Sequence, residues 1–158
     1  MALLDKLAEF ADAVSVAATA GTALIGSQID LQVARDIGNG RPVYLVISVD
    51  TEIITAGSAG TIQFILASDD SAAIAIDASA TEHLFTPVFV TDDSAANSTQ
   101  MNAGEIIFYG PIPGEGAVYE RFLGILCVTA TNDVTAGKIN AYLTLDPPTT
   151  KKTYNDAI

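Results

Sequence analysis

The chain has 158 residues, 19 Asp and Glu against 7 Lys and Arg, and a formal net charge of −12, with a mean hydropathy of +0.37. Its 49% hydrophobic residues are enough to bury the core of one domain, so disorder along the whole length is excluded. The charge argues against nucleic acid and against an anionic membrane as partners, since both need clustered Lys and Arg; one His, one Cys and no Trp leave little material for enzyme chemistry.

In chain order, Leu3, Leu7, Phe10 and Val14 recur at helical spacing, which reads either as a short amphipathic helix or as an arm that docks through Leu and Phe. The same stretch holds Asp5, Glu9 and Asp12 against Lys6 alone, the wrong sign for a secretory leader. No apolar run reaches the ~18 residues of a membrane span. Residues 15–28 carry no charge, are rich in Ala and Thr and are broken by Gly21 and Gly26; they read as extended chain with one short strand at Leu24–Ile25. Together, 1–28 form an expected N-terminal arm.

The expected domain runs from 29 to 146. Ile29–Val33 alternates as a half-buried strand does, and Arg35 to Pro42, with Gly38, Asn39 and Gly40, is a turn. Val43–Val49 is a β-branched run that predicts a buried strand, with Ile53 and Ile54 after it. Thr61–Ser68 is the next strand, Ile74 and Ile76 mark a short one, and Leu84–Val90 another, with Pro87 at an edge or bulge. Asp92–Gly104 reads as a polar loop, Glu105–Tyr109 as a strand. Val118–Ala130 is the longest apolar stretch and Lys138–Asp146 the last alternating one, ended by Pro147 and Pro148. The tail, 147–158, contains Lys151 and Lys152 and no pattern. About eight short strands with Gly, Pro, Asn and Asp between them predict an all-β, antiparallel jelly roll or β-sandwich.

Candidate chemistry is sparse. His83 has no Gly-x-Ser-x-Gly neighbour to act on and reads as a surface or hydrogen-bonded histidine. Cys127 lies in the apolar run 122–128 and reads as a small buried hydrophobe. One His and one Cys cannot make the usual zinc set. The string Asp-Asp-Ser-Ala-Ala occurs at 69–73 and again at 92–96. Such loops make turns through their own side chains, and they are also the oxygen-rich loops that can hold calcium. Arg121, inside an apolar strand, either snorkels at an edge or pairs with Glu120 or another carboxylate, or forms a buried pair at a subunit interface.

One ordered set of residues carries more. Leu4-Asp5-Lys6 with Phe10 and Asp12-Ala13 opens the chain. Ile29-Asp30-Leu31 and Ala34-Arg35-Asp36-Ile37-Gly38-Asn39-Gly40 follow, then Tyr119-Glu120-Arg121-Phe122-Leu123-Gly124, then Gly137-Lys138-Ile139-Asn140-Ala141. This order resembles the capsid cement (decoration) family of short-tailed phages, first recognised in a Bordetella phage, over residues 3 to 146. The resemblance implies a jelly-roll protein made in the host cytoplasm and placed on the virion exterior. There it would bind the major capsid protein, as a homotrimer near local three-fold positions, with no enzyme activity, no cofactor and no metal, and without touching nucleic acid or membrane. A charge of −12 suits the outside of a shell packed with DNA. The partner-binding residues expected on this reading are Leu3, Leu4, Leu7 and Phe10 in the arm, Arg35, Asp36 and Arg41 around the turn, and Arg121. The bland reading of the arm's apolar residues is packing on their own subunit. The competing function is a calcium- or carbohydrate-binding jelly-roll module, resting on the two acidic loops.

Overall fold

A computed structural model of the chain describes residues 5–37, 40–91, 101–114 and 118–148. Among these the order is a single 3₁₀ turn, Lys6–Ala8, and nine strands: β1 (Glu9–Ser15), β2 (Gly21–Asp30), β3 (Tyr44–Thr55), β4 (Gly60–Asp69), β5 (Thr81–Phe85), β6 (Phe89–Thr91), β7 (Ile106–Pro111), β8 (Phe122–Ala130) and β9 (Val134–Thr144). They form two antiparallel sheets, β1-β9-β3-β7 and β2-β8-β4-β5, with β6 also paired to β4, so the β-sandwich expected from the alternating runs is present. The pairing is first strand with last, second with second-last and third with third-last, while β4 takes β5 and β6. A long antiparallel ribbon folded once and then rolled gives this order, which is the jelly roll.

The inner faces make the core. In β4, Ile62, Phe64 and Leu66 point inward against Leu45, Ile47 and Ile53 of β3 and Leu123, Ile125 and Cys127 of β8, all in one buried cluster. Each such side chain, fully removed from water, is worth about 1.5–3 kcal/mol. Burial pushes the Cys127 thiol up to about 12, so the cysteine is the inert apolar residue its neighbours in β8 indicate. The outer face of the β2-β8-β4-β5 sheet is also covered in part. Ile74, from the loop after β4, packs with Ile65, Ala67 and Leu126 in a second cluster.

Three segments differ from the reading of the sequence. The described part of the expected arm is not an arm: β1 pairs with β9, and β2 pairs with β8. The helical spacing in β1 is coincidental. Bulges break its register between Glu9 and Ala11 and between Ala11 and Val14, and they let Phe10 and the adjacent Ala11 both be buried; one bulge is held by the Asn140 side chain, which accepts the Ala13 N–H at 2.7 Å. The short strand at Ile74 and Ile76 is absent, because side chains hold residues 71–80 as a loop: Asp69 accepts the Ser71 N–H, Asp77 accepts the Ser79 N–H, and the Ser79 hydroxyl lies 3.0 Å from Asp69 and 2.6 Å from Asp77. Leu84–Val90 is two strands. Between them Thr86 inserts into β4, its N–H donating to the Phe64 carbonyl and its hydroxyl accepting the Phe64 N–H. Most of the tail, residues 149–158, lies outside the described residues.

The main chains of β1 and β2 approach closely at Gly26. Gly26 has φ +67, and a Cβ there would stand 2.0 Å from the Phe10 carbonyl oxygen. Gly40 also has a left-handed φ, +94, with nothing within 4 Å of its Cβ position. Gly40→Ala is therefore expected to cost only the conformational strain, about 1–2 kcal/mol, and Gly26→Ala on the order of 4 kcal/mol or more, because main chain cannot yield. Denaturant melts of the two variants check this, and equal losses would remove the role of the close approach. Cys127 is expected to resist alkylation in the native protein at about pH 8 and to react once unfolded.

Candidate functional site

Because every pairing is antiparallel, the starts of β1, β3, β5 and β8 and the ends of β2, β4, β7 and β9 share one end of the sandwich. Two crossovers meet there, 31–43 from β2 to β3 and 112–121 from β7 to β8. They are zipped together. The Arg35 N–H donates to the Tyr119 carbonyl at 2.9 Å, the Tyr119 N–H donates back at 3.0 Å, and the Leu31 N–H donates to the Arg121 carbonyl at 2.8 Å. Ile112 N–H donates to the Val43 carbonyl, and the Tyr119 hydroxyl donates to the Pro113 carbonyl.

Beneath this zipper is a buried polar group. The Tyr119 side chain is fully buried, and burial, with the Asp36 charge, pushes its hydroxyl up to about 12. The His83 ring lies 4.2 Å from the Tyr119 ring, centroid to centroid. Ser68 Oγ stands 2.7 Å from His83 Nε2, accepts the Glu120 N–H at 3.0 Å and lies 3.4 Å from Glu120 Oε2. A Ser, a His and a Glu are thus together, but not as a hydrolase triad. Ser68 has no exposed surface, and the carboxylate faces the serine rather than the far nitrogen of the histidine that an orienting acid would hold. The trio satisfies the polar groups of an inward serine in line with Ile62, Phe64 and Leu66. That alternation puts Ser68 on the core face and was readable in the sequence; its partners, 15 and 52 residues away, were not.

The expected partner-binding residues fall into three sets. Leu3 and Leu4 lie outside the described residues. Phe10 is a core residue with 2% of its surface exposed; its own subunit buries it, so it is not an anchor for a neighbour. Leu7 (82% exposed), Arg35, Asp36, Arg41 and Arg121 are exposed and lie at the end just described. Arg121 is not a buried ion within this chain; it pairs with another carboxylate, as the simpler reading expected. It makes a two-pronged exposed bond to Asp30 of the adjoining strand, 3.0 and 2.9 Å, which holds the Asp30 carboxyl below the usual range, and its guanidinium lies 4.8 Å above the Phe122 ring. Arg35 and Arg41 form no ion pair with another described residue. The sequence reading also missed Val33 and Val118, which are exposed beside these arginines at 58% and 62%. Of the two acidic loops, 92–96 is outside the described residues. No described group of three or more His, Cys, Asp or Glu side chains is placed to hold a metal.

A family model named Bbp16, after a Bordetella phage protein, matches residues 10–143. The chain belongs to the Bbp16 family. The matched span begins at Phe10 and ends one residue short of the end of β9, so it takes in all nine strands and both crossovers. No curated protein matches the chain. No described helix is long and apolar enough to cross a membrane.

His83 is half-buried, and burial lowers its pKa below the ordinary 6.5. A histidine depressed in the folded state binds its proton more readily when unfolded, so its contribution to stability is complete above pH 6.5 and declines as the pH falls below that value. His83→Gln is expected to flatten the fall in melting temperature below pH 6.5. A fall of unchanged steepness would assign the acid sensitivity to the carboxylates.

Proposed function

We propose that this Bbp16-family protein is a capsid cement: a structural protein of the phage virion that binds the outside of the major capsid protein lattice and stabilises the DNA-filled head. The observation that carries the reading is the family match across the whole roll, in a family named for a Bordetella phage protein. The crossover end adds support, because it supplies exposed Arg35 and Arg41, which make no ion pair with another described residue. The role is binding rather than catalysis, and its location is the exterior of the head. An acidic chain there stands apart from the packaged DNA that would repel it.

Cement of this kind acts by mass action. It binds the assembled lattice and not the free subunits, and the lattice gains stability in proportion to occupancy. Self-association as a trimer belongs to the same proposal. The surface that supports it is the β5–β6 edge, where Phe85, Val88 and Val90 are more than half exposed and no charged residue interrupts the run from Leu84 to Thr91.

The test is attachment of the purified full chain to expanded heads assembled without it. The expected outcome is saturable binding at a fixed copy number relative to the major capsid protein, and heads that survive heating better. Absence of saturable binding would sink the proposal. Because Phe10 is core, an N-terminal truncation must stop before Glu9: removing residues 2–6 is expected to leave the melting temperature nearly unchanged, whereas removal through residue 13 unfolds the protein. Sedimentation checks the trimer, and the double change Phe85→Ser, Val90→Ser is expected to shift the mass to that of one chain.

A further inference from the structure

The two outer faces of the sandwich differ. On the β2-β8-β4-β5 sheet, Ile74 packs with Ile65, Ala67 and Leu126. On the β1-β9-β3-β7 sheet, the residues facing outward alternate with Leu45, Ile47 and Val49 of β3 and with Ile139 and Ala141 of β9, all of which are core. The outward residues form cross-strand rows. Val46 pairs with Tyr142 of β9 on one side and with Tyr109 of β7 on the other. Tyr44 lies in the next row, between Thr144 and Pro111, and Ser48 pairs with Asn140 in the row on the far side of Val46. Three of the five tyrosines thus surround one valine, and neither hydrophobic cluster includes any of these four residues.

Two features of this face decide what fits it. The first is shape. Val46 is 0% exposed and Ser48 4%, although both point outward, while Tyr109 is 48% exposed. The side chains beside Val46 and Ser48 therefore close the surface, and no cleft is left there. A small molecule needs a concave site. A close-set tyrosine surface suits the centre of a protein interface, where tyrosine is enriched and charge is depleted. The second feature is charge. The three rows from Tyr44 to Ser48, across β9, β3 and β7, contain no charged residue. On the strands of this sheet and within three residues of their ends stand seven carboxylates, Glu9, Asp12, Asp50, Glu52, Glu105, Asp133 and Asp146, against three cations, Lys6, Arg41 and Lys138. An uncharged centre in a net acidic surround is complementary to an uncharged centre in a basic one.

We propose that the outer face of the β1-β9-β3-β7 sheet, centred on Tyr109, Val46 and Tyr142, is a docking surface, and that its partner is a protein face with an uncharged centre and a basic surround. The inference rests on the cement reading, in which that face belongs to the assembled capsid lattice. Duplex DNA and an acidic membrane fail on the charge count, because both would meet a net negative surround.

The experiment measures attachment to expanded heads for Tyr109→Glu and for Ile76→Glu, which adds the same charge in the loop that carries Ile74, where Ile76 is 50% exposed. The expected result is attachment weakened about tenfold or more by Tyr109→Glu, and within about twofold of wild type for Ile76→Glu and for Tyr109→Phe, which keeps the ring. Melting temperatures show whether each variant folds. Should Tyr109→Glu unfold, Asp12, whose side chain is 56% exposed, carries the test. Asp12→Lys is expected to attach more weakly than Asp70→Lys, an equal change at the end of a strand of the other sheet, and wild-type attachment is expected to weaken with added salt. If wild type attaches and Tyr109→Glu attaches as Ile76→Glu does, the face is overturned and the cement reading stands. If wild type does not attach at all, the cement reading fails and the face with it. Equal attachment of Asp12→Lys and Asp70→Lys overturns the basic surround. A sedimenting mass reduced by Tyr109→Glu makes the face a contact between copies, and wild-type binding to uncharged oligosaccharides, lost in Tyr109→Glu, makes it a glycan site; either overturns the assignment to the lattice.

Discussion

Tyr119 joins the inside of this protein to its outside. The ring is wholly buried against the core and against His83, and the hydroxyl is spent on the Pro113 carbonyl of the same crossover. Its main chain, in contrast, pairs with Arg35 across the surface of the sandwich end. A tyrosine can do both because its ring is apolar and its tip polar. The crossovers on either side belong to different connections of the roll, and without this joint each would be a surface loop closed only by its own ends. With it, the 31–36 segment lies against the 119–121 segment as a short continuation of the β2–β8 ladder, and the arginines of both stand on a fixed base.

The same end explains how an acidic protein keeps a use for its few cations. An exposed pair such as Asp30–Arg121 adds little to stability in water. Its effect is positional: it ties Arg121, at the start of β8, to Asp30, at the end of β2. The Arg121 guanidinium is held flat by two hydrogen bonds and by the Phe122 ring beneath it.

How much of this the sequence disclosed depends on the kind of signal. The central strands β3, β4, β8 and β9 were legible because their β-branched and alternating runs have one physical meaning, two packed faces or one. β1 and β2 were not. Phe10 and Val14 mimic a helical stripe only because bulges disturb the alternation, and β2 is built of Gly, Thr, Ala and Ser, whose fit depends on the close approach at Gly26 rather than on hydrophobicity. Ile74 and Ile76 alternate like a strand, but Ile74 reaches its cluster from a loop fixed by Asp and Ser side chains. At the site, Arg35, Arg41 and Arg121 stood out individually. The pairing of Arg121 with Asp30 was invisible, since the two are 91 residues apart and only the roll brings them together. His83 was placed at the entrance of a strand, and its Ser68 partner needed the pairing of β4 with β5 to be seen.

An open sandwich faces a hazard at its margins, which is strand addition between copies along unpaired sheet edges. The β5–β6 edge carries the most apolar exposed side chains, Phe85, Val88 and Val90, and would be the first to fail. It is blunted from within. Thr86 turns its N–H inward to Phe64 of β4, Pro87 has no N–H to offer, and β6 is only three residues long. What is left on that edge is side-chain surface without a backbone template. Such a surface can take part in a closed, shape-matched contact between copies, and it cannot seed an open-ended sheet. At the other margin β1 is interrupted by two register shifts, which bend it away from any straight partner. These two margins thus leave side chains rather than backbone for any contact between copies.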